Sequence, residues 1–245
     1  MSNLSVSQRL HDDLGRIIAN SEPGERLPSE PVLAQRLHVS RATLREAMRT
    51  FETQGFIRRR QGSGTYVSKR SAVFDTGLEV LESIETLAER IGLHVKLGES
   101  RLEHRLADDK ERLAFNLSNG QFVTVVTRVM HADERPVAYL IDILPENQIS
   151  ADELQTKFTG SVLDLLLQRG SPSLVTSRTE ISAVTATNQT ARALGIQRGD
   201  VLLSFVAYLY DDLGQVVDLS YSYFLPGYFR FHVVRRVGQR DSPSW

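Results

Sequence analysis

The 245-residue chain contains no cysteine, one tryptophan and three methionines. Without cysteine, disulfides and thiolate metal sites are excluded. No run of about 18 apolar residues is present, so no membrane-spanning helix is expected. The first twenty residues, MSNLSVSQRLHDDLGRIIAN, carry acids and lack the apolar centre of an export signal. The expectation is a soluble, cytoplasmic protein that makes no membrane contact. The six histidines (His11, His38, His94, His104, His131, His232) form no close ligand-spaced pair, and neither a G-x-S-x-G elbow nor a P-loop occurs. No metal, cofactor or catalytic residue is therefore expected. Hydrophobic residues at 41% and charged residues at 24% are ordinary for a globular chain with a packed core.

The net charge of −1 conceals an asymmetry. Residues 1–70 hold 12 Lys and Arg against 7 Asp and Glu, whereas the remainder holds 17 against 23. A basic N-terminal module joined to an acidic body points to a polyanion partner for the first part alone.

Within that module, Val6, Leu10, Leu14, Ile17 and Ile18 recur at helical spacing, predicting a helix over 5–20. SEPGERLP then breaks the chain. Ser29 is positioned to cap a short second helix with Pro31 in its first turn and Leu33, Ala34 and Leu37 on its buried side. After the His38-Val39 turn, Ser40 is positioned to cap a third helix reaching to about residue 54, where Gly55 stops it. Leu44, Ala47, Met48 and Phe51 form its apolar stripe. Arg41, Arg45 and Arg49 span about 80° of arc, roughly 110° round from that stripe, predicting three guanidinium groups in a row. FIRRR (56–60) and TYVSK (65–69), joined by Gln61-Gly62-Ser63-Gly64, read as a hairpin. Strand alternation places Arg58 and Arg60 on one side and Arg59 on the other. A short helix, a tight turn, an arginine-striped helix and a basic hairpin make a winged helix-turn-helix, whose recognition helix fits the major groove of DNA. The glycine tip lets backbone N–H groups approach phosphate or enter the minor groove.

LPSEPVLAQRLHVSRATLREAMRTFETQGFIRRRQGSGTYVS resembles the DNA-binding domain of the GntR family of bacterial transcription regulators. The LPSE, VSR, T-L-R-E-A, Q-G-F-I and G-S-G-T-Y-V blocks occur in order over about 40 residues. The resemblance implies DNA contacts at Ser40, Arg41, Thr43 and Arg45, with Gly62 and Gly64 in the wing tip; Arg49, Arg58 and Arg60 complete the expected DNA-binding set. Many members carry arginine directly after LPSE, and here that place is Pro31.

Beyond a polar joint, KRSAVFD (69–75), a helix is expected with Leu78, Leu81, Ile84, Leu87, Ala88 and Ile91 on its buried side. The rest contains an internal echo. Residues 108–145 and 187–226 run in one register, with Gly120 matching Gly199, Leu117 matching Ile196, Asp133 matching Asp212 and Val137 matching Val216. Each copy reads as helix, glycine turn, long strand, acidic turn and return strand. Two such units predict an α+β domain of pseudo-twofold design, with an antiparallel sheet and a ligand pocket between the halves.

This half resembles the UTRA effector-binding domain of the HutC branch of the GntR family, whose fold is similar to chorismate lyase. The resemblance rests on TRV…ADERPVAY, G-S-V-L-D-L-L (160–166), SRTEISA (177–183) and ARALGIQRGDVLL (191–203). It implies a homodimer whose DNA affinity changes when a small-molecule effector binds. The expected division is 1–69 for DNA binding, 70–76 as linker and 77–245 for effector binding and dimerisation. Members that bind phosphorylated sugars carry R-x-R on one strand and a glutamate on the return strand. Here the first arginine is Arg128, the second is Met130, and the glutamate position is Leu140. Ser161 and Asp218 fall on further pocket positions, and Arg178 is a candidate on a strand read as lining the cleft. Strand parity puts Arg128 with Met130, and Asp218 with Ser220, on one face of their strands. One arginine and one acid with apolar walls argue against a sugar phosphate and for a less charged ligand, such as a carboxylate, an amino-acid derivative or a nucleoside-like compound. The alternative is that Arg128 and Asp218 pair with each other and are purely structural.

The reading is a DNA-binding metabolite sensor, a repressor on a pseudo-palindromic double-stranded operator. The alternative is a metabolite-binding protein or lyase-like enzyme with an accessory basic module. Fold likeness to a lyase is weak ground for chemistry.

Overall fold

A computed structural model of the chain describes residues 6–53, 55–60, 62–68, 74–90, 94–132 and 134–234. Its N-terminal unit contains α1 (Val6–Ala19), α2 (Glu30–Arg36), α3 (Arg41–Thr53) and a two-stranded wing, β1 (Ile57–Arg60) and β2 (Gly64–Val67). The wing pairs antiparallel with Ile57 opposite Val67 and Arg60 opposite Gly64. Leu10, Leu14 and Ile18 of α1 meet Leu33 of α2, Leu44, Met48 and Phe51 of α3, and Ile57 and Val67 of the wing in one apolar core. Each fully buried side chain of this kind contributes about 1.5–3 kcal/mol by leaving water.

The helix ends follow their caps. Ser40 Oγ accepts the Thr43 N–H at 3.1 Å. At the other end Phe56 N–H bonds Phe51 O, and Gly55 N–H bonds Glu52 O, with Gly55 at φ +75°. That pair of bonds is the Schellman closure, and its left-handed residue is the reason for glycine. Ser29 stands at the N-cap position of α2 with Pro31 in the first turn, as expected, but its side chain makes no capping bond.

The expected 78–91 helix is corrected. Phe74–Gly77 forms a strand, β3, parallel to β10 (Phe229–His232), and the helix α4 covers only Ile84–Arg90. Ser83 sets that start, its Oγ accepting the Thr86 N–H at 3.0 Å. Leu78 and Leu81 therefore lie exposed outside the helix, while Leu87 and Ala88 are buried. Ile91 lies outside the described residues, as do 70–73 of the expected linker; from Phe74 the chain is already strand β3.

The echo is structural. β4 (Val95–Leu106), α5 (Asp109–Phe115), β5 (Phe122–Ala132) and β6 (Arg135–Pro145) form one unit. After α6 (Ala151–Lys157) and α7 (Val162–Arg169), the same order returns as β7 (Leu174–Thr185), α8 (Asn188–Leu194), β8 (Val201–Asp211) and β9 (Val216–Phe224). The six strands form one antiparallel sheet in the order β4-β5-β6-β9-β8-β7, so the two units meet at β6 and β9. The periodic signal began at residue 108 and missed β4 and β7, which supply the two edges. Opposite residues in an antiparallel pair share a face. One face, with Val129, Tyr139, Ile143, Leu202 and Leu219, packs under α5 and α8. The other, with Val126, Met130, Leu140 and Leu144, packs under α4, α6 and α7. No described helix is long and apolar enough to cross a membrane.

Candidate nucleic-acid interface and effector site

On α3 the three arginines do not remain one row. Arg41 is exposed, and Arg45 keeps its side chain 65% exposed while its Nε donates to Glu30 Oε2 at 2.6 Å. Arg49 is turned aside. Its Nη2 donates to Glu46 Oε1 at 2.6 Å and its Nη1 to Asp200 Oδ1 at 2.7 Å, leaving it 24% exposed. The hydrogen bond it donates to Glu46 and the Asp200 charge outweigh burial and raise its pKa further, so it stays protonated. Asp200 belongs to the turn before β8, so the expected row is split by an acid 151 residues away, which local spacing could not reveal. The two units touch again where a Cβ on Gly55 would come within 2.9 Å of the Tyr228 ring.

In the wing, alternation holds. Arg58 and Arg60 are exposed, and the Arg60 guanidinium lies 5.3 Å from the Tyr66 ring centre. Arg59 turns inward, its backbone N–H donating to Glu52 Oε1 and its Nη2 to Arg45 O at 3.2 Å, so it braces the wing against α3. At the tip, Gly62 and Gly64 sit at φ +74° and +115°. A Cβ on Gly64 would meet Arg26 Nε at 2.8 Å, whereas nothing lies within 4 Å of one on Gly62. The first glycine of the tip thus leaves open backbone, and the second permits close packing. Ser40 and Thr43, whose hydroxyls lie 2.8 Å apart, are exposed at the start of α3 beside Arg41.

The second site lies on the sheet face under α4 and α7. Arg128 of β5 is buried. Its Nη2 donates to Asp142 Oδ2 at 2.9 Å, and its Nη1 reaches Gly160 O and, at 3.4 Å, Glu85 Oε1. Arg128 thus pairs with Asp142 and Glu85 and not with Asp218, among the described residues. Ser161, also buried, caps α7 by accepting the Asp164 N–H at 3.1 Å. Ser83 Oγ donates to Asp164 Oδ2 at 2.7 Å and ties the starts of α4 and α7 together. Asp218 of β9 is buried, and its Oδ1 has no hydrogen-bond partner; nor has Arg128 Nε. Burial, then the Asp142 charge, pushes the Asp218 carboxyl well above its ordinary range, against the pull of Arg128. Burial likewise raises Glu85, opposed by Arg128.

Arg128, Ser161 and Asp218 therefore belong to one region, and Arg178 does not. Arg178 stands opposite Tyr208, which stands opposite Leu219, on the α5–α8 face. It is exposed and bonds Glu180 at 3.1 Å. Asp142 and Glu85 were missed. Asp142 lies two residues beyond Leu140 on the same face, so the parity that singled out Leu140 also marks it. Glu85 was hidden because the helix carrying it was phased from residue 78. A separate cleft of about 810 Å³, lined by Ile18, Phe51, Phe56 and Val67, lies in the N-terminal unit, away from Arg128.

Comparison with known proteins matches both halves. The model of bacterial regulatory proteins of the gntR family matches residues 4–67, and that of the UTRA domain matches residues 87–230. The HTH-type transcriptional repressor NagR of Bacillus subtilis is 28% identical over 206 residues, 82% of this chain and 83% of its own length. The histidine utilization repressor of Pseudomonas putida is 29% identical over 184 residues, 74% and 71% of the two chains. In fold, the chain resembles PhnF from Mycobacterium smegmatis with a TM-score of 0.63 at 21% identity, covering 94% of this chain and all of that one. With a GntR module followed by a UTRA domain, the chain belongs to the GntR family of bacterial regulatory proteins, in its HutC subfamily.

Proposed function

We propose that this protein is a sequence-specific, DNA-binding repressor of transcription, without catalytic activity, whose operator affinity is set by a small metabolite. It acts in the cytoplasm as a homodimer, which matches a pseudo-palindromic operator because a twofold protein reads twofold DNA. The functional division falls between the wing and β3. The observation that carries the reading is the pairing, in one chain, of an exposed basic helix and wing with a buried polar centre that has an unsatisfied acceptor and donor. Arg41 and Arg45 reach base edges or adjacent phosphates from α3. Arg58, Arg60 and the backbone at Gly62 hold the phosphate backbone, with Ser40 and Thr43 beside them.

The effector lies against Arg128, Ser161 and Asp218. Arg128 is already paired with Asp142 and Glu85, so the site disfavours a sugar phosphate and favours a ligand that hydrogen-bonds the unpartnered Asp218 Oδ1. Contacts between the units, Arg49 with Asp200 and Gly55 with Tyr228, then couple effector occupancy to the seating of α3. A coupling of about 1–3 kcal/mol gives a 5- to 150-fold switch.

Footprinting of the full chain on the DNA flanking its own gene tests this reading. The expected result is a short protected site of two half-sites, with Arg45→Ala losing about 1–3 kcal/mol of operator binding and relaxing one base position. Uniform affinity for any duplex would overturn it.

A further inference from the structure

The two edges of the six-stranded sheet are not alike. Each is a 12-residue strand, about 40 Å long, with no buried residue and, among the described residues, a neighbour on one side only. Such an edge exposes a row of backbone N–H and C=O groups that pairs with another strand unless something blocks it. β4 is blocked in two ways. It carries Lys96, Glu99, Arg101, Glu103 and Arg105, and its pairing register shifts between Leu97 and Ser100. β7 shows a register shift only at its start, between Leu174 and Thr176, and from there to Thr185 it pairs without a break. Its sequence LVTSRTEISAVT is rich in β-branched residues, and its charges are Arg178 and Glu180 alone.

Those two charges are placed for self-recognition. Both lie on one face, 72% and 63% exposed. In an antiparallel pairing of two β7 strands about Thr179, Arg178 of each copy stands opposite the partner's Glu180. Thr179 meets its own counterpart, and Thr176 meets Ser182. Opposite charges and hydroxyl pairs directly across an antiparallel ladder are favourable. The neighbouring registers that keep the faces matched are centred on residue 178 or 180. They set Arg178 against Arg178, or Glu180 against Glu180, so charge specifies one register as well as permitting it.

We propose that β7 is the self-association edge of this protein, joining two copies into a continuous twelve-stranded sheet about a twofold axis at Thr179. The proposal rests on the homodimer reading above and names the surface that makes it. It also gives Arg178 a role that does not require it to face the Arg128 site.

The test is a charge swap followed by sedimentation velocity of the full chain across a range of concentrations, with circular dichroism to check folding. Wild type sediments as a dimer. Arg178→Glu and Glu180→Arg each place two like-charge pairs across the ladder and raise the dimer dissociation constant at least about tenfold. The double variant Arg178→Glu/Glu180→Arg restores opposite pairs and recovers the wild-type constant. Arg101→Glu, on β4, leaves it unchanged. A dimer indifferent to both single swaps, or weakened by Arg101→Glu in their place, overturns the β7 assignment while leaving the homodimer intact. A wild type that stays monomeric throughout overturns the homodimer reading itself.

Discussion

The two β-α-β-β units of the C-terminal domain share their framework and divide their chemistry. Asp108 and Thr187 occupy equivalent positions, and each closes a capping box, on α5 with Glu111 and on α8 with Thr190. Lys110 and Gln189, also equivalent, each donate to a tyrosine hydroxyl on the other unit's central strand, Tyr221 at 2.6 Å and Tyr139 at 2.8 Å. Each helix thus lies over its neighbour's strand, which locks the halves together. The polar centre is uneven. Arg128, at the position of Ala207 in the second unit, and Asp142 come from the first unit, and Asp218 comes from the second. A repeated frame keeps its caps and cross-unit bonds, because both halves need them to fold, while its central positions are free to differ.

The glycine turns carry the same lesson on a smaller scale. Gln121 Oε1 accepts the Ser118 N–H in the first unit, and Asp200 Oδ2 accepts the Gln197 N–H at 3.0 Å in the second. The local bond is identical. A carboxylate, however, has a second oxygen and a charge, and in the second unit that oxygen takes Arg49 of α3. One amide-to-acid difference makes only one of two equivalent turns a contact with the DNA-binding unit.

The sharpest way to break this comparison is at its centre. Arg128→Ala leaves Glu85 and Asp142 buried without their partner and should cost about 3–5 kcal/mol in urea unfolding at pH 7. A loss below about 1 kcal/mol would show that the cluster is solvated. The second prediction concerns proton linkage. Asp218 and Glu85 have raised pKa values in the fold, so the native state binds more protons than the unfolded chain above the ordinary carboxylate range. Stability should therefore fall as pH rises from about 4 toward the folded-state pKa values, by at most about 1.4 kcal/mol per pH unit for each group. Asp218→Asn should flatten that slope, and an unchanged slope would remove Asp218 as its source. The smallest effect concerns the turns. Asp200→Asn frees Arg49 from a partly exposed ion pair worth up to about 1 kcal/mol and should raise effector-free operator affinity up to about fivefold in a gel-shift titration. Gln121→Ala, at the equivalent turn, should leave it unchanged.

Much of this architecture was legible in the order of residues. The helix ends at Ser40 and Gly55, the apolar stripe of Leu44, Met48 and Phe51, the inward turn of Arg59 and the repeat from residue 108 all depend on neighbours within a few positions. The parity that grouped Arg128 with Met130 is likewise a property of any strand. What was misread depended on distant partners. Phe74–Gly77 is strand because β10 lies beside it, and the leucines at 78 and 81 imitate a helical stripe that Ser83 does not allow to begin. Arg178 was grouped with Arg128 from its place on a strand, and the register of three paired strands put it on the opposite face.

Local sequence by itself determined the winged helix-turn-helix, the twofold repeat and the alternation of each strand, because caps, periodicity and turn glycines act over one or two turns of chain. Only the tertiary structure decided which charges meet. Arg128 found Asp142 and Glu85, Asp218 was left with an unpaired oxygen, and Arg49 was drawn from the recognition face to Asp200. Ion pairing depends on a few ångströms of separation and on burial, and no residue spacing along the chain encodes either across 43 or 151 positions.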